Sequence, residues 1–290
     1  MKDFLSITQN SCNDRYPILQ ALNQSLDICS RHDGDKFRFS GFNRLVKRII
    51  NAHKIPVSLR TNLPFIKIDN EIASMLFLLE GDMHFEGKDY PSYYLYAACT
   101  LKKYRGRGLM AELLSFAKET ANKNGKYFIC LKPAEKSLFD FYGKFGYKTA
   151  FFVKVAEYNT KNTSVNLSDR NVSPEYLRNT AYDGHNYFKW DKQSVDFAFL
   201  HNKFFGGNAS ETCKGYSLYT SDDTKIVVKE TTFTQVDDVL NTIDNINNVA
   251  KIVFPPWIDV EGEIRPWAMI TAINDDGKKI IDFIDKRYYN

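Results

Sequence analysis

The chain has 290 residues, 43% of them hydrophobic and 14% aromatic, with a net charge of +4 from 39 basic and 35 acidic side chains. That length suits two domains of about 100–200 residues with real cores, and basic residues scattered rather than gathered in a tract argue against a nucleic-acid partner. No apolar run reaches membrane-spanning length, the N-terminus lacks an apolar signal core, and the five cysteines (Cys12, Cys29, Cys99, Cys130, Cys213) show no zinc or redox spacing, so a cytoplasmic protein with free thiols, no metal and no membrane partner is expected.

In chain order, Ile18, Leu22 and Leu26, then Phe42, Leu45, Val46, Ile49 and Ile50, recur at helical spacing and predict two amphipathic helices. Val57–Arg60 and Pro64–Ile68 read as short strands, Asp69-Asn70 as a turn and Glu71–Leu79 as a longer buried strand, with Glu80, Asp82, His84 and Glu86 in the loop that follows. Tyr93–Thr100 is β-branched, aromatic and uncharged, as a buried strand requires. From Leu109 the period changes: Leu109, Leu113, Phe116 and Ala117 share one face of a helix that Gly125 can close, and Tyr127–Leu131 reads as the next strand.

The turn inside this strand, helix and strand is Arg105-Gly106-Arg107-Gly108. Its glycines let backbone N–H groups converge, the helix start adds partial positive charge and the arginines add full charge, so the turn suits an anion such as a pyrophosphate. Gly106 to Ala111 fits the dinucleotide pattern G-x-G-x-x-A, which would imply a nicotinamide oxidoreductase, but that pattern wants an acid at the end of the next strand, where Leu131-Lys132-Pro133 stands.

Arg105, Gly106, Arg107, Gly108 and Leu109 also follow R-x-x-G-x-G/A, with Met110 in place of the last small residue, and Phe141-Tyr142-Gly143-Lys144-Phe145-Gly146-Tyr147 follows F-Y-x-x-x-G-F/Y. With both motifs in order, the chain resembles the GNAT family of acyl-CoA transferases. The resemblance implies a mixed α+β fold and an acetyl-CoA-dependent N-acetyltransferase, with an acyl group passed directly to an amine in a ternary complex. It implies that Ala98, Cys99 and Thr100 lie along the pantetheine arm, that Arg105 to Ala111 hold the pyrophosphate, and that Tyr142 protonates the leaving thiolate, a role its ordinary pKa near 10 suits. The base is open among Glu80, Asp82, His84, Glu86 and the C-terminal carboxylate of Asn290, with Tyr94 and Tyr96 as an alternative water relay. An acyl-enzyme on Cys99 would need a nearby activating group. The acceptor is a small-molecule or peptide amine, and a non-catalytic acyl-CoA-binding or scaffold protein is the alternative of another class.

Phe151–Tyr158 reads as a last strand of the first domain, and Asn159–Ser164 as a polar linker. Beyond it the order repeats: a helix capped by Ser173-Pro174, a helix over Asp191–Phe205 ending at Gly206-Gly207, strands Tyr216–Thr220 and Lys225–Thr232, a helical stripe from Val236 to Ile246, and strands Lys251–Phe254 and Trp267–Ile273. Residues 1–158 are thus expected to form the acetyl-CoA domain and 159–290 a degenerate GNAT-like lobe. Its equivalent turn, between Phe233 and Gln235, has neither glycine nor arginine. Trp257, Arg265 and Trp267 are candidates to line the acceptor cleft.

Overall fold

The structure, a computed structural model, describes residues 27–29, 36–39, 42–45, 64–68, 71–160, 172–243 and 249–288, with backbone alone for the first three stretches and for 283–288. The elements are strands β1 Asp27–Cys29, β2 Lys36–Phe39, β3 Phe42–Leu45, β4 Phe65–Ile68, β5 Glu71–Phe85 and β6 Lys88–Thr100, helix α1 Leu109–Lys123, β7 Phe128–Leu131, α2 Ser137–Gly143 and β8 Lys148–Asn159. Then come α3 Pro174–Tyr182, β9 Tyr187–Lys189, α4 Lys192–Phe204, β10 Asn208–Glu211, β11 Tyr216–Ser221, β12 Lys225–Thr231, α5 Val236–Leu240, β13 Val249–Phe254, β14 Glu263–Ala272 and α6 Asp275–Tyr288.

Two compact units form, and neither is one continuous stretch. Unit I holds the described residues up to Gly81, then Tyr90–Lys148 and Ile270 onward, whereas unit II holds Asp82–Asp89 and Thr149–Met269. The units differ from the expected halves 1–158 and 159–290, since Asp82–Asp89 goes to unit II and α6 to unit I. β8, beyond its first residue, goes to unit II, and β14 begins in unit II but ends in unit I.

In unit I the strand order is β1-β4-β5-β6-β7-β14, antiparallel between β4 and β5 and parallel between β6 and β7. This mixed pairing is the α+β arrangement expected. Residues 72–79 of β5 are all buried, because an inner strand covered on both faces needs a continuous apolar run instead of alternation. Helix α1 buries Leu109, Leu113, Leu114, Ala117 and Ala121 on one face. It closes as expected at Gly125: Lys126 N–H bonds the Ala121 carbonyl at 2.9 Å and Gly125 N–H the Asn122 carbonyl at 3.1 Å, the two bonds of a Schellman motif. Asn274 caps α6, accepting from Gly277 N–H at 2.8 Å, and Ile273 N–H bonds the Tyr127 carbonyl at 2.9 Å.

In unit II the order is β14-β8-β13-β12-β11-β10, with β9 against Asp82–His84. β12, α5 and β13 repeat the strand, helix and parallel strand of unit I. Ile226, Val228, Phe233, Val239, Ile252 and Phe254 make the core. Arg178, 8% exposed, is satisfied by the Phe188 carbonyl at 2.9 Å and by Glu230 at 3.4 Å, and Glu230 also accepts from the Tyr216 hydroxyl at 2.6 Å. Such partners are what a buried guanidinium requires.

Three expectations change. Residues 42–45, read as the start of a helix, form β3 paired with β2, since so short an apolar spacing does not separate helix from strand; 46–50, Ile18–Leu26, Val57–Arg60 and Asp69-Asn70 lie outside the described residues. Glu80, Asp82 and His84 are on β5 rather than in a loop, and the reversal is Glu86-Gly87, with φ of 47° and 75°, as a two-residue hairpin turn demands. The stripe from Val236 gives a helix only to Leu240.

Candidate functional site

β6 pairs with β7 through Ser92, Tyr93 and Tyr94 opposite Phe128, Ile129 and Cys130, and β7 ends one residue later at Leu131, so β6 runs on past the end of its neighbour to Thr100. Its kink is at Ala97, whose φ of 51° is a conformation costing a residue with a Cβ about 1–3 kcal/mol. The far side of this segment is fastened. Ser74 Oγ donates to the Cys99 carbonyl at 3.1 Å and lies 2.9 Å from Thr100 Oγ1, and Leu101 N–H bonds the Ala73 carbonyl at 2.9 Å. The end of β6 at Cys99 and Thr100 is thus held against β5 where β7 no longer runs beside it.

The basic turn follows directly. Lys102–Tyr104 form one turn of 3-10 helix, and Arg105 Nε donates back to the Thr100 carbonyl at 3.2 Å. Tyr104 is buried, its hydroxyl bonded to Glu71 at 3.1 Å, with Lys103 and Arg107 over its ring at 4.7 and 5.3 Å. Lys103 also pairs with Glu71. Gly106 and Gly108 have φ of 76° and 79°, and a Cβ built on either would meet no atom within 4 Å. They leave backbone open on the outer side. Gly108 is the N-cap of α1 and has no side chain to bond the first-turn N–H groups, whereas α3 and α4 close theirs with Ser173 and Asp191. The α1 donors at Leu109, Met110 and Ala111 are consequently open to an external acceptor. Leu109 is 1% exposed and anchors the turn.

The segment around Tyr142 has a specific local cause. Tyr147 N–H bonds the Tyr142 carbonyl at 3.3 Å and Gly146 N–H the Gly143 carbonyl at 3.0 Å, with Gly146 at φ 79°. This is again a Schellman motif, whose outer bond sets its first residue against its last. Those residues are Tyr142 and Tyr147, their rings 5.8 Å apart and inclined 66°. The spacing F-Y-x-x-x-G-Y is therefore a helix stop that fixes one tyrosine against another. Tyr142 is 7% exposed, yet among the described residues its hydroxyl makes no hydrogen bond. Burial, and then the nearby Cys99 thiol, hold its phenol above the ordinary tyrosine value. It stays protonated, as a proton donor must.

Other candidates fare differently. Burial pushes the Cys99 thiol up to about 12 against the pull of Arg105, so it is no ready nucleophile. Tyr96 is pushed up to about 12 by burial. Glu80 is held by Lys126 at 2.5 Å. Asp82, His84 and Glu86 belong to unit II, where Asp89 accepts from His84 Nδ1 at 2.5 Å and from Lys189 at 2.6 Å. Burial alone would raise the Asp89 carboxyl, but those two hydrogen bonds and charges outweigh it and hold it low. Trp257 stacks on His185 with ring centres 4.0 Å apart, and Arg265 pairs with Glu263 at 2.5 Å. Asn290 lies outside the described residues. No group of three or more metal-binding side chains occurs among the described residues, and no described helix is long and apolar enough to cross a membrane. Ser74, which fastens the end of β6, and Lys118, bonded to the Phe145 carbonyl, were not expected from the sequence; a hydroxyl inside the apolar run of β5 was the available signal for the first.

Residues 42–150 match the family model of an acetyltransferase (GNAT) domain. No curated protein matches the chain. Among solved structures, a GCN5-related N-acetyltransferase from Anabaena variabilis is similar at 15% identity, covering 92% of this chain and 71% of that one with a TM-score of 0.57. Eis1 from Mycobacterium abscessus is similar at 15% identity, 79% and 71% coverage and TM-score 0.56. A GCN5-related N-acetyltransferase from Kribbella flavida is similar at 14% identity over 74% of this chain, with a TM-score of 0.54. The chain spans only 62% of that relative's length. At such identities the likeness is one of fold.

Proposed function

Given a chain that carries an acetyltransferase (GNAT) domain over residues 42–150, we propose that it moves an acetyl group from acetyl-CoA to a primary amine by direct transfer in a ternary complex. The observation that carries this reading is that β6 runs on past the end of β7 and leads into a basic, glycine-bearing and uncapped helix start. An acyl-CoA has the matching parts in the matching order: an amide-bearing pantetheine arm for Ala98, Cys99 and Thr100, then a pyrophosphate for Arg105 to Ala111. The residues fit that group, since the backbone is open where phosphates would lie.

The coenzyme supplies an activated thioester, and the protein's residues do the rest. Backbone N–H groups of β6 past the end of β7 stabilise negative charge on the carbonyl oxygen as the amine attacks. Tyr142 gives its proton to the departing sulfur and is ready to do so because burial keeps it neutral. In unit II, the step from Thr231 to α5 passes through buried Phe233 without glycine, so one coenzyme per chain is the reading, with unit II serving the acceptor. Cytoplasm, where acyl-CoA and free thiols such as Cys99, Cys130 and Cys213 coexist, is the compartment it implies.

The test is thiol release from acetyl-CoA with ethylamine, glucosamine, lysine and a tripeptide, alongside calorimetric titration of acetyl-CoA. Tyr142→Phe should keep coenzyme affinity within a few fold and lower turnover roughly 10²–10⁴-fold. Turnover surviving nearly intact would remove Tyr142 as the acid. The lack of any acid in Tyr93–Thr100 favours one other reading, an acyl-CoA-binding protein without catalysis; tight binding with no thiol release from any amine would select it.

A further inference from the structure

Lys118 is half-buried in the middle of α1, where an uncharged side chain would cost less. No carboxylate pairs with it among the described residues. Its Nζ instead donates to the Phe145 carbonyl at 2.5 Å and sits 5.4 Å from the centre of the Tyr147 ring. Phe145 lies two residues past the end of α2, and the next two residues are the Gly146 and Tyr147 of the Schellman motif. The ammonium also flanks Gly146: a Cβ there would lie 3.6 Å from Lys118 Nζ and 4.0 Å from Thr271 Oγ1. Two contacts of one side chain thus flank Gly146, in the turn that stops α2.

Two features give this convergence a purpose. The α2 helix has seven residues and no side-chain cap at its start, so it is too short to hold its own geometry. Its last carbonyls carry the negative end of the helix dipole, which an ammonium stabilises. On the reading of Tyr142 as the acid, we infer that Lys118 is its positioning residue: by tying the end of α2 to α1, it holds the phenol at the distance from the sulfur that proton transfer needs. Lys118 does not touch the reacting atoms. Burial disfavours its charged form, so the contacts with Phe145 and Tyr147 are what retain the ammonium there.

The experiment is a double-mutant cycle on the full chain between Lys118→Met and Tyr142→Phe, using the fastest amine of the panel above. Lys118→Met should lower kcat roughly 10–100-fold, the scale of a misplaced reacting group, with acetyl-CoA affinity and acceptor KM within about threefold. In the Tyr142→Phe background the same change should cost less than about threefold, because the proton donor it positions is already gone. Lys118→Arg, which keeps the donor, should recover most of the lost kcat. Should Lys118→Met fail to fold, Lys118→Gln, which keeps a shorter donor, goes through the same cycle. Losses that multiply in the double variant, or a fall in coenzyme affinity that matches the fall in kcat, would overturn the inference and leave the acid assignment standing. Full turnover in Tyr142→Phe alone would remove both.

Discussion

At the scale of single residues, Gly108 is the position where the least change should do the most. Any side chain there must adopt φ near 79° and would project from the open face on which the proposed phosphate site lies. Gly108→Asp adds a carboxylate to that projection, and like charge repels phosphate most where little water screens it. Acetyl-CoA binding by calorimetry should fall below detection while the fold, read by circular dichroism, persists. Retained affinity would mean that the turn is only a turn. The residues of this site were legible because each solves a local problem: glycines for positive φ, arginines for charge, the Gly146 stop for the paired tyrosines. Lys118 was not, because its bond to Phe145 crosses 27 positions of chain and a lysine on a helix signals nothing by itself.

At the scale of elements, α6 makes the sharpest prediction. Its Gly277 lies so near β7 that a Cβ would come 2.7 Å from the Tyr127 carbonyl and 3.2 Å from the Phe128 ring. Alanine raises helix propensity by about 1 kcal/mol, and overpacking costs about 1–3 kcal/mol. A rigid backbone carbonyl cannot swing aside, so the steric cost wins, and Gly277→Ala should lower stability in urea unfolding. A gain in stability would show that α6 does not dock on β7. Periodic, strongly apolar elements such as α1 were readable within a residue or two. The second half of β5 was not, since the sequence from Glu80 to His84 mixes acids with glycine and resembles a loop; only pairing across the hairpin makes it strand. Helix α6 was overlooked although Ile280, Ile281 and Ile284 are spaced for it, because Gly277 in its first turn reads as a break.

At the scale of the whole molecule, buried phenols and thiols set the alkaline limit. Tyr142, Tyr147, Tyr182 and Tyr216 are all raised by burial above the ordinary tyrosine value, and Cys99 and Cys130 above that of a thiol. Each keeps its proton in the folded chain at a pH where the unfolded chain loses it. Stability from these groups is therefore fully present below the unfolded values, about 8.5 for cysteine and 10 for tyrosine, and drains away as pH rises toward the folded ones. The unfolding midpoint should be level between pH 7 and 8 and drop increasingly from pH 9 to 11; a level midpoint through pH 11 would contradict these burials.

The last strand has a consequence in time. Unit I cannot finish its sheet beside β7, which ends at Leu131, until Ile270 and the residues after it have been made. At roughly 5–20 residues per second on the ribosome, β7 waits on the order of ten seconds with an edge that no later-made strand yet covers, and bare edges recruit other chains. The basic turn is thus translated early but supported late. A nascent chain stalled before Ile270 should be protease-sensitive across residues 90–148 even though every residue of the proposed coenzyme site is already present, and release of the completed chain should make the same region resistant.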